Sequence, residues 1–442
     1  MTEVTVSKSK KYNFPAGIEI ISRGNKNIIL AVDAGRWIVA NNEDELEMFR
    51  CLRSGLSVGD LLERWIGRRS AVLDFLSEIE GRHFDAPIQT VEELAKHFAM
   101  RVYLTHRCNM RCPHCFLSAG CALNNELLES EIVELVDGVA KRGCTKLILT
   151  GGEPLLHPGF LRIVRKAKEF GLKVQVLSNG VLWKEDVISQ AAPYVDEVQI
   201  SIDGFDEKTN ALIRGKGSFD LALRAVEGLL SCGVFVNLSI TPPPHLFESC
   251  FENYLSFGRS LLRRFNTANF EVVFTDELYD GRDGRVSNET KVRYSKLVSQ
   301  MHEELYGDYE YKVFVRKHEY NSICVNCGFA NLTVDSDGEV YYCSRINEVL
   351  PHGNIRSESI DAILDMRRNA RIATSVKHVL PCRDCNLRFV CGGGCRLSNF
   401  TGLRECEKIG CDPSCRMVRK CTPEYKDQIL DFMISADDQL CF

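Results

Sequence analysis

Arg101-Val-Tyr-Leu-Thr-His-Arg-Cys108-Asn-Met-Arg-Cys112-Pro-His-Cys115 is a short apolar and β-branched run followed at once by three cysteines spaced C-x3-C-x2-C. Iron in a 4Fe-4S cluster takes four ligands, whereas a structural zinc site is closed. Three thiolates and no fourth therefore leave one iron open to an exogenous molecule, and an open iron implies chemistry.

Around this stretch, strand and helix patterns alternate. Strand candidates are Arg101 to Thr105, Lys146 to Thr150, Lys173 to Leu177, Glu197 to Ser201, Val234 to Ile240 and Phe270 to Thr275, each apolar or β-branched as buried parallel strands are. Helical periodicity covers Glu129 to Lys141, Gly159 to Phe170, Lys184 to Ala191, Phe219 to Ser231, Phe251 to Arg263 and Glu289 to Leu305. Six β-α units in a row predict an α/β fold, a parallel sheet or partial barrel whose working groups sit at the strand C-termini. The cysteine run directly follows the first strand and so lies at that end.

The second strand ends in Thr150-Gly151-Gly152-Glu153-Pro154. Glycines let backbone approach a ligand closely, and a carboxylate pairs with an ammonium. The two motifs together resemble the radical S-adenosylmethionine superfamily. That resemblance implies a partial (β/α)6 TIM-type barrel in which Cys108, Cys112 and Cys115 hold a 4Fe-4S cluster and S-adenosylmethionine chelates the open iron. Reductive cleavage would then release a 5'-deoxyadenosyl radical that abstracts a substrate hydrogen, driven by an external one-electron reductant of flavodoxin or ferredoxin type. By the same resemblance Gly151, Gly152, Glu153 and Pro154 bind the cofactor, and Ser178, Asn179, Ser201 and Asp203 face its ribose. Arg214 approaches the methionine carboxylate, and Ser239, with Asn237 and Thr241 beside it, adds adenosine contacts. Read from the residues alone, each of these polar groups beyond Glu153 equally suits a helix cap or a turn.

From about residue 320 the periodicity stops. Cys327-x10-Gly338-x4-Cys343, then Cys382-x2-Cys385-x5-Cys391-x3-Cys395, then Cys415 follow one another with few apolar residues between, which predicts a fold held by metal. The order resembles the seven-cysteine pattern of the SPASM domain. That implies two auxiliary 4Fe-4S clusters, one on Cys324, Cys327, Cys343 and Cys395 and one on Cys382, Cys385, Cys391 and Cys415. Cys406, Cys411 and Cys421 surround the last ligand without a role, and Cys406 or Cys411 stands as an alternative to Cys415. A closed zinc knuckle is the competing reading of the C-x2-C-x5-C-x3-C spacing. Cys121 and Cys441 read as ordinary thiols.

Ahead of the barrel, Gly17 to Ser22, Asn27 to Val32 and Arg36 to Ala40 read as strands, and Glu43 to Ser54, Ser57 to Trp65 and Ala71 to Glu80 as helices, with Ser57 as an N-cap. This winged-helix-like α+β layout resembles the peptide-binding element of ribosomal peptide maturases, similar to the peptide chaperone of pyrroloquinoline quinone synthesis. The resemblance implies that the leader of a precursor peptide adds a strand to the sheet, with Asn27 to Val32 as the expected edge. A DNA-binding winged helix is the rival reading, but Met1 to Met100 carries 13 Lys and Arg against 15 Asp and Glu. That balance is wrong for gripping phosphates.

The whole chain of 442 residues has a net charge of -5, so nucleic acid is not an expected partner. No apolar run approaches the roughly 18 residues that span a bilayer, and the polar start has no signal-peptide core. A cytoplasmic chain is expected, where closely spaced cysteines bind metal rather than pair. The expected domains are residues 1–90 for leader recognition, 98–310 for the radical barrel and 320–442 for the SPASM domain. Together they point to a maturase that cross-links a precursor peptide oxidatively, through a thioether or carbon-carbon bond. A sulfatase-type formylglycine maturase would want an aspartate where Ser344 stands. Other readings are an enzyme acting on a small molecule and a non-catalytic iron-sulfur electron-transfer scaffold, the latter having no use for an open iron. Asp203, Arg316 and Arg345 are the charged groups expected near the cavity.

Overall fold

The computed structural model describes residues 7–87, 90–276, 278–282, 284–307, 325, 327–401, 418–419 and 421–439. They form two compact units: Met1–Leu94 with Tyr311–Gly328 and Arg371–Phe442, and Ala95–Glu310 with Phe329–Ala370.

In the first unit, β1 (Ile18–Arg23), β2 (Lys26–Ala31) and β3 (Arg36–Ala40) make an antiparallel sheet in the order β1-β2-β3. The expected edge therefore proves to be the central strand, and β1 and β3 are the edges. The reason is visible in the residues: Ile28-Ile29-Leu30-Ala31-Val32 is continuously apolar, the pattern of a strand buried on both faces. Ile29, Ala31, Ile38 and Ala40 pack under α1 (Glu43–Arg53), α2 (Val58–Arg64) and α3 (Arg69–Gly81). Ile28, Leu30, Val32, Trp37 and Val39 pack on the other side against Leu387, Val390, Ile429 and Met433. Ser57 caps α2 as its sequence predicts, and Asp60 closes the capping box. A short turn, α4 (Val91–Leu94), ends this segment.

The second unit is built on β4 (Phe98–Tyr103), β5 (Cys144–Thr150), β6 (Lys173–Ser178), β7 (Glu197–Ile202), β8 (Phe235–Ile240) and β9 (Phe270–Phe274), parallel neighbours in chain order. All six expected strands are present. The intervening helices are α5 (Glu129–Ala140), α6 (Phe160–Glu169), α7 (Glu185–Ala191), α8 (Glu207–Arg214), α9 (Ser218–Ser231), α10 (Pro244–Ser249), α11 (Phe251–Arg264) and α12 (Asn288–Tyr306). Beyond the expected series, β10 (Leu332–Val334) joins β4 in parallel and β11 (Val340–Tyr341) joins β10 antiparallel, so part of the cysteine-rich stretch completes the barrel sheet.

The strands alternate more than uniformly apolar parallel strands would. On β7 and β8, Val198, Ile200, Val236 and Leu238 are fully buried, while Gln199, Ser201, Asn237 and Ser239 are half-buried on the opposite face. That face also carries Lys146, whose Nζ lies 2.9 Å from Glu197, and Gln175, which donates to Glu197 at 2.6 Å. Asn237 donates to Glu271 at 2.6 Å. A partial barrel with a polar lumen follows. Among the described residues, no helix is long and apolar enough to cross a membrane.

Candidate active site

The cysteine loop leaving β4 is fastened to the loop leaving β5 by main-chain hydrogen bonds. Leu104 N donates to Thr150 O at 2.9 Å, Gly152 N to Thr105 O at 2.8 Å and Glu153 N to Arg107 O at 2.8 Å. The parallel ladder thus runs on past both strand ends and joins two motifs that the sequence holds far apart. A Cβ on Gly151, whose φ is +139°, would lie 2.4 Å from Thr105 O, and one on Gly152 would lie 2.2 Å from Arg107 O. These glycines serve loop-on-loop approach, a demand the sequence does not reveal.

Glu153 is 0% exposed. Ser178 donates to both its oxygens at 2.9 and 3.1 Å, and Asn179 N donates to Oε2 at 2.9 Å. Burial nevertheless pushes the carboxyl up to about 7, outweighing the hydrogen bonds from Asn179 and Ser178. Asn179 Nδ2 also donates to Asn109 Oδ1 at 2.8 Å, which ties the third strand's loop to the interior of the cysteine motif. Pro154 is buried and opens a 3-10 turn behind the carboxylate. Burial raises the Cys108 thiol to about 11, with Glu153 adding to the effect, and raises Cys112 against the opposing charge of Arg214.

The site therefore gathers three thiols and a carboxylate, and burial disfavours the anionic forms of Cys108, Cys112 and Glu153. Soft sulfur donors suit iron, and positive charge brought by a cluster and an ammonium relieves the anionic crowding. The donor set fits a 4Fe-4S cluster on Cys108, Cys112 and Cys115 with an amino-acid ligand at Glu153.

Asp203, fully buried after β7, faces Arg214 at the end of α8. Their Oδ2 and Nε atoms are 2.6 Å apart, an ion pair without an aligned hydrogen bond. His114, inside the cysteine motif, stands 3.4 Å from the same oxygen, and Thr241 N donates to Oδ1 at 3.2 Å. Tyr254 donates to the Asp203 carbonyl at 2.8 Å. Of the predicted cofactor residues, Ser178 and Asn179 thus meet Glu153, Asp203 meets Arg214, and Ser201 and Ser239 lie side by side in the register of β7 and β8.

Several supporting residues escaped sequence reading. Glu126 accepts from Thr105 Oγ1 at 2.8 Å and His106 N at 2.7 Å, and Asp335 holds His106 Nε2 at 2.8 Å. Burial pulls the His106 imidazole down, but the Asp335 carboxylate more than offsets this and its pKa is raised. Tyr103 donates to Ser344 O at 2.7 Å and Phe116 packs on Tyr279, while Arg345, which the sequence did single out, sits over the Tyr279 ring. His114 and Asn109 had one signal available, their place inside the cysteine motif. Glu126 and Asp335 had none.

Among the described residues, no three His, Cys, Asp or Glu side chains stand close enough to share a single metal ion. Cys382, Cys385, Cys391 and Cys421 instead line one cavity in the first unit, together with Tyr425, Arg388 and Lys426. Cys343 follows β11 in the other unit, and Arg345 N donates to its Sγ at 3.5 Å. Cys327 and Cys395 belong to the first unit. Cys324, Cys406, Cys411, Cys415, Cys441 and Arg316 lie outside the described residues.

A Radical SAM superfamily profile matches residues 102–258, and a profile of the SPASM iron-sulfur cluster-binding domain matches residues 324–386. The mycofactocin maturase MftC of Mycobacterium tuberculosis is 28% identical over 349 residues, covering 76% of this chain and 84% of that protein. An AdoMet-dependent heme synthase of Methanosarcina barkeri is 26% identical over 330 residues, covering 68% of this chain and 92% of that protein. The solved structure of native anSMEcpe with bound AdoMet superposes with a TM-score of 0.54 at 16% identity, covering 78% of this chain and 99% of that one, and so shares the fold. With both cysteine-bearing segments matched, and the cysteine and Gly-Gly-Glu-Pro loops joined at one end of a partial barrel, the chain is a radical S-adenosylmethionine superfamily enzyme that binds a 4Fe-4S cluster and S-adenosylmethionine and carries a SPASM domain for auxiliary iron-sulfur clusters.

Proposed function

We propose that this enzyme matures a ribosomally made precursor peptide, holding its leader on the N-terminal domain of residues 1–90 and forming an oxidative cross-link, a thioether or carbon-carbon bond, in the peptide's core. The observation that carries the reading is the three-stranded sheet of the first unit, in a chain that also joins the cysteine and Gly-Gly-Glu-Pro loops and is similar to a maturase over 76% of its length. The edges open to an added strand are β1 and β3. On β3 the Val39 N–H is held by Glu78 Oε1 at 3.1 Å. A tethered leader raises the effective concentration of the core peptide at the barrel.

When bound, the cluster and S-adenosylmethionine supply a 5'-deoxyadenosyl radical that abstracts hydrogen from the substrate. The chain's own part is positional: Glu153 takes the methionine ammonium, the Asp203–Arg214 pair presents a guanidinium toward the cofactor carboxylate, and Ser201 and Ser239 offer hydroxyls along the lumen. Three 4Fe-4S clusters, one at the barrel and two in the SPASM domain, with an external flavodoxin- or ferredoxin-type reductant and a cytoplasmic setting, complete the proposal.

The test is anaerobic co-expression with a short peptide encoded beside the enzyme, followed by mass spectrometry. Each cross-link removes two hydrogen atoms. An unmodified peptide that also fails to saturate the full-length enzyme in a fluorescence titration defeats the proposal. A second reading, action on a small molecule, draws on the likeness to a heme synthase and predicts 5'-deoxyadenosine release without any peptide affinity.

A further inference from the structure

We infer that Cys421, rather than Cys415, is the fourth thiolate of the second auxiliary cluster, and that the Tyr425 hydroxyl tunes that cluster through Cys391. The resemblance to the SPASM pattern implied Cys415, with Cys406 or Cys411 as alternatives, all outside the described residues. The fold brings Cys421 into the cavity that Cys382, Cys385 and Cys391 line.

Among the described residues no three such side chains stand close enough to share one metal ion, so the sulfurs of this cavity suit a cluster, which spaces its thiolates apart, better than a lone zinc ion, which would draw each within about 2.3 Å. Cys421 stands just before the helix Pro423–Gln439, and Thr422 Oγ1 accepts from Tyr425 N at 3.3 Å in its first turn. The positive end of that helix therefore faces the cavity, favourable for an anionic cluster. Ile429 and Met433 anchor the helix against β2 and β3, and Arg23 pairs with Asp427 and Asp431 at 2.6 and 2.7 Å. The ligand is thus held by a packed element. Tyr425, in the first turn of that helix, brings its hydroxyl to 3.6 Å from Cys391 Sγ.

The inference rests on the SPASM domain binding clusters, and its test is blind to the peptide substrate. Full-length Cys421→Ser and Cys415→Ser proteins, reconstituted under argon, are compared by iron and sulfide content and Mössbauer spectroscopy. The expected result is loss of about four irons per chain in Cys421→Ser and none in Cys415→Ser. Full iron in Cys421→Ser, or the same loss in Cys415→Ser, overturns it. A readout needing no substitution is alkylation of the loaded wild-type enzyme: Cys421 is protected until the iron is chelated, and labelling of Cys421 in the loaded protein overturns the assignment. Tyr425→Phe keeps its iron and moves one midpoint potential downward, because a hydrogen bond to a cluster sulfur favours the reduced state. An unmoved potential removes Tyr425 from the proposal.

Discussion

Glu153 is a carboxylate without exposed surface whose pKa burial has raised to about 7, so its charge is costly until a cation arrives. Glu153→Gln keeps the size and an acceptor for Ser178 and Asn179 but removes the charge. A hydrogen bond to a charged group is worth about 1.5 to 3 kcal/mol, which corresponds to roughly 10- to 100-fold in affinity. We expect S-adenosylmethionine to bind more weakly by that factor with iron content unchanged; unaltered affinity in equilibrium dialysis would remove the ammonium from this carboxylate. His302 makes a second case. Its Nε2 accepts from Phe274 N at 3.1 Å, and burial lowers its pKa to about 4. The unfolded chain binds a proton near pH 6.5 where the fold does not, so stability is lost as pH falls from about 6.5 toward 4, by up to roughly 3 kcal/mol. His302→Gln should flatten the urea midpoint across that window. At this scale the contiguous motifs of Cys108, Cys112 and Cys115 and of Glu153 were legible as loops after strands, and the fold joins those loops. Asp335 was not, because the contact with His106 spans 229 positions.

At the scale of elements, the extension of the β4–β5 ladder into the loops beyond does the assembling. Its weak point is Gly151: an L side chain at φ +139° is strained by about 1 to 3 kcal/mol, and its Cβ would also meet Thr105 O at 2.4 Å. Gly151→Ala is expected to push the Gly-Gly-Glu loop away from the cysteine loop, lowering iron at the barrel cluster while far-ultraviolet circular dichroism stays native. Full iron with normal 5'-deoxyadenosine release would contradict that. The six β-α repeats were readable because strand and helix periods alternate cleanly. The two-turn helix α8 was not, since eight residues give little periodicity, although Asp206 at its start accepts from Thr209 N at 2.7 Å as an N-cap should. The central place of β2 was present as a continuous apolar run, but what covers its second face comes from nearly 400 residues further along the chain.

At the scale of the whole molecule, the N-terminal sheet is a shared layer. One face carries α1 to α3, and the other receives the helix that follows Cys421, so the N-terminal sheet and the cysteines Cys382, Cys385, Cys391 and Cys421 belong to one unit. Trp37 is the hub: it is 3% exposed and donates its Nε1 to Met433 O at 3.0 Å. Truncating a buried tryptophan costs about 3 to 5 kcal/mol. Trp37→Ala in the full chain should therefore loosen the helix Pro423–Gln439, speed proteolysis there and lower the iron held with Cys421, while the barrel cluster and its S-adenosylmethionine affinity stay intact. The same architecture predicts that residues 1–90 alone expose Ile28, Leu30, Val32, Trp37 and Val39 and self-associate, because an apolar sheet face without its cover seeks another. The proposed leader binding is therefore measured on the full chain. A monomeric 1–90 fragment that leaves a hydrophobic dye dark, beside a Trp37→Ala enzyme with full iron and wild-type proteolysis, would show that the two layers stand independently.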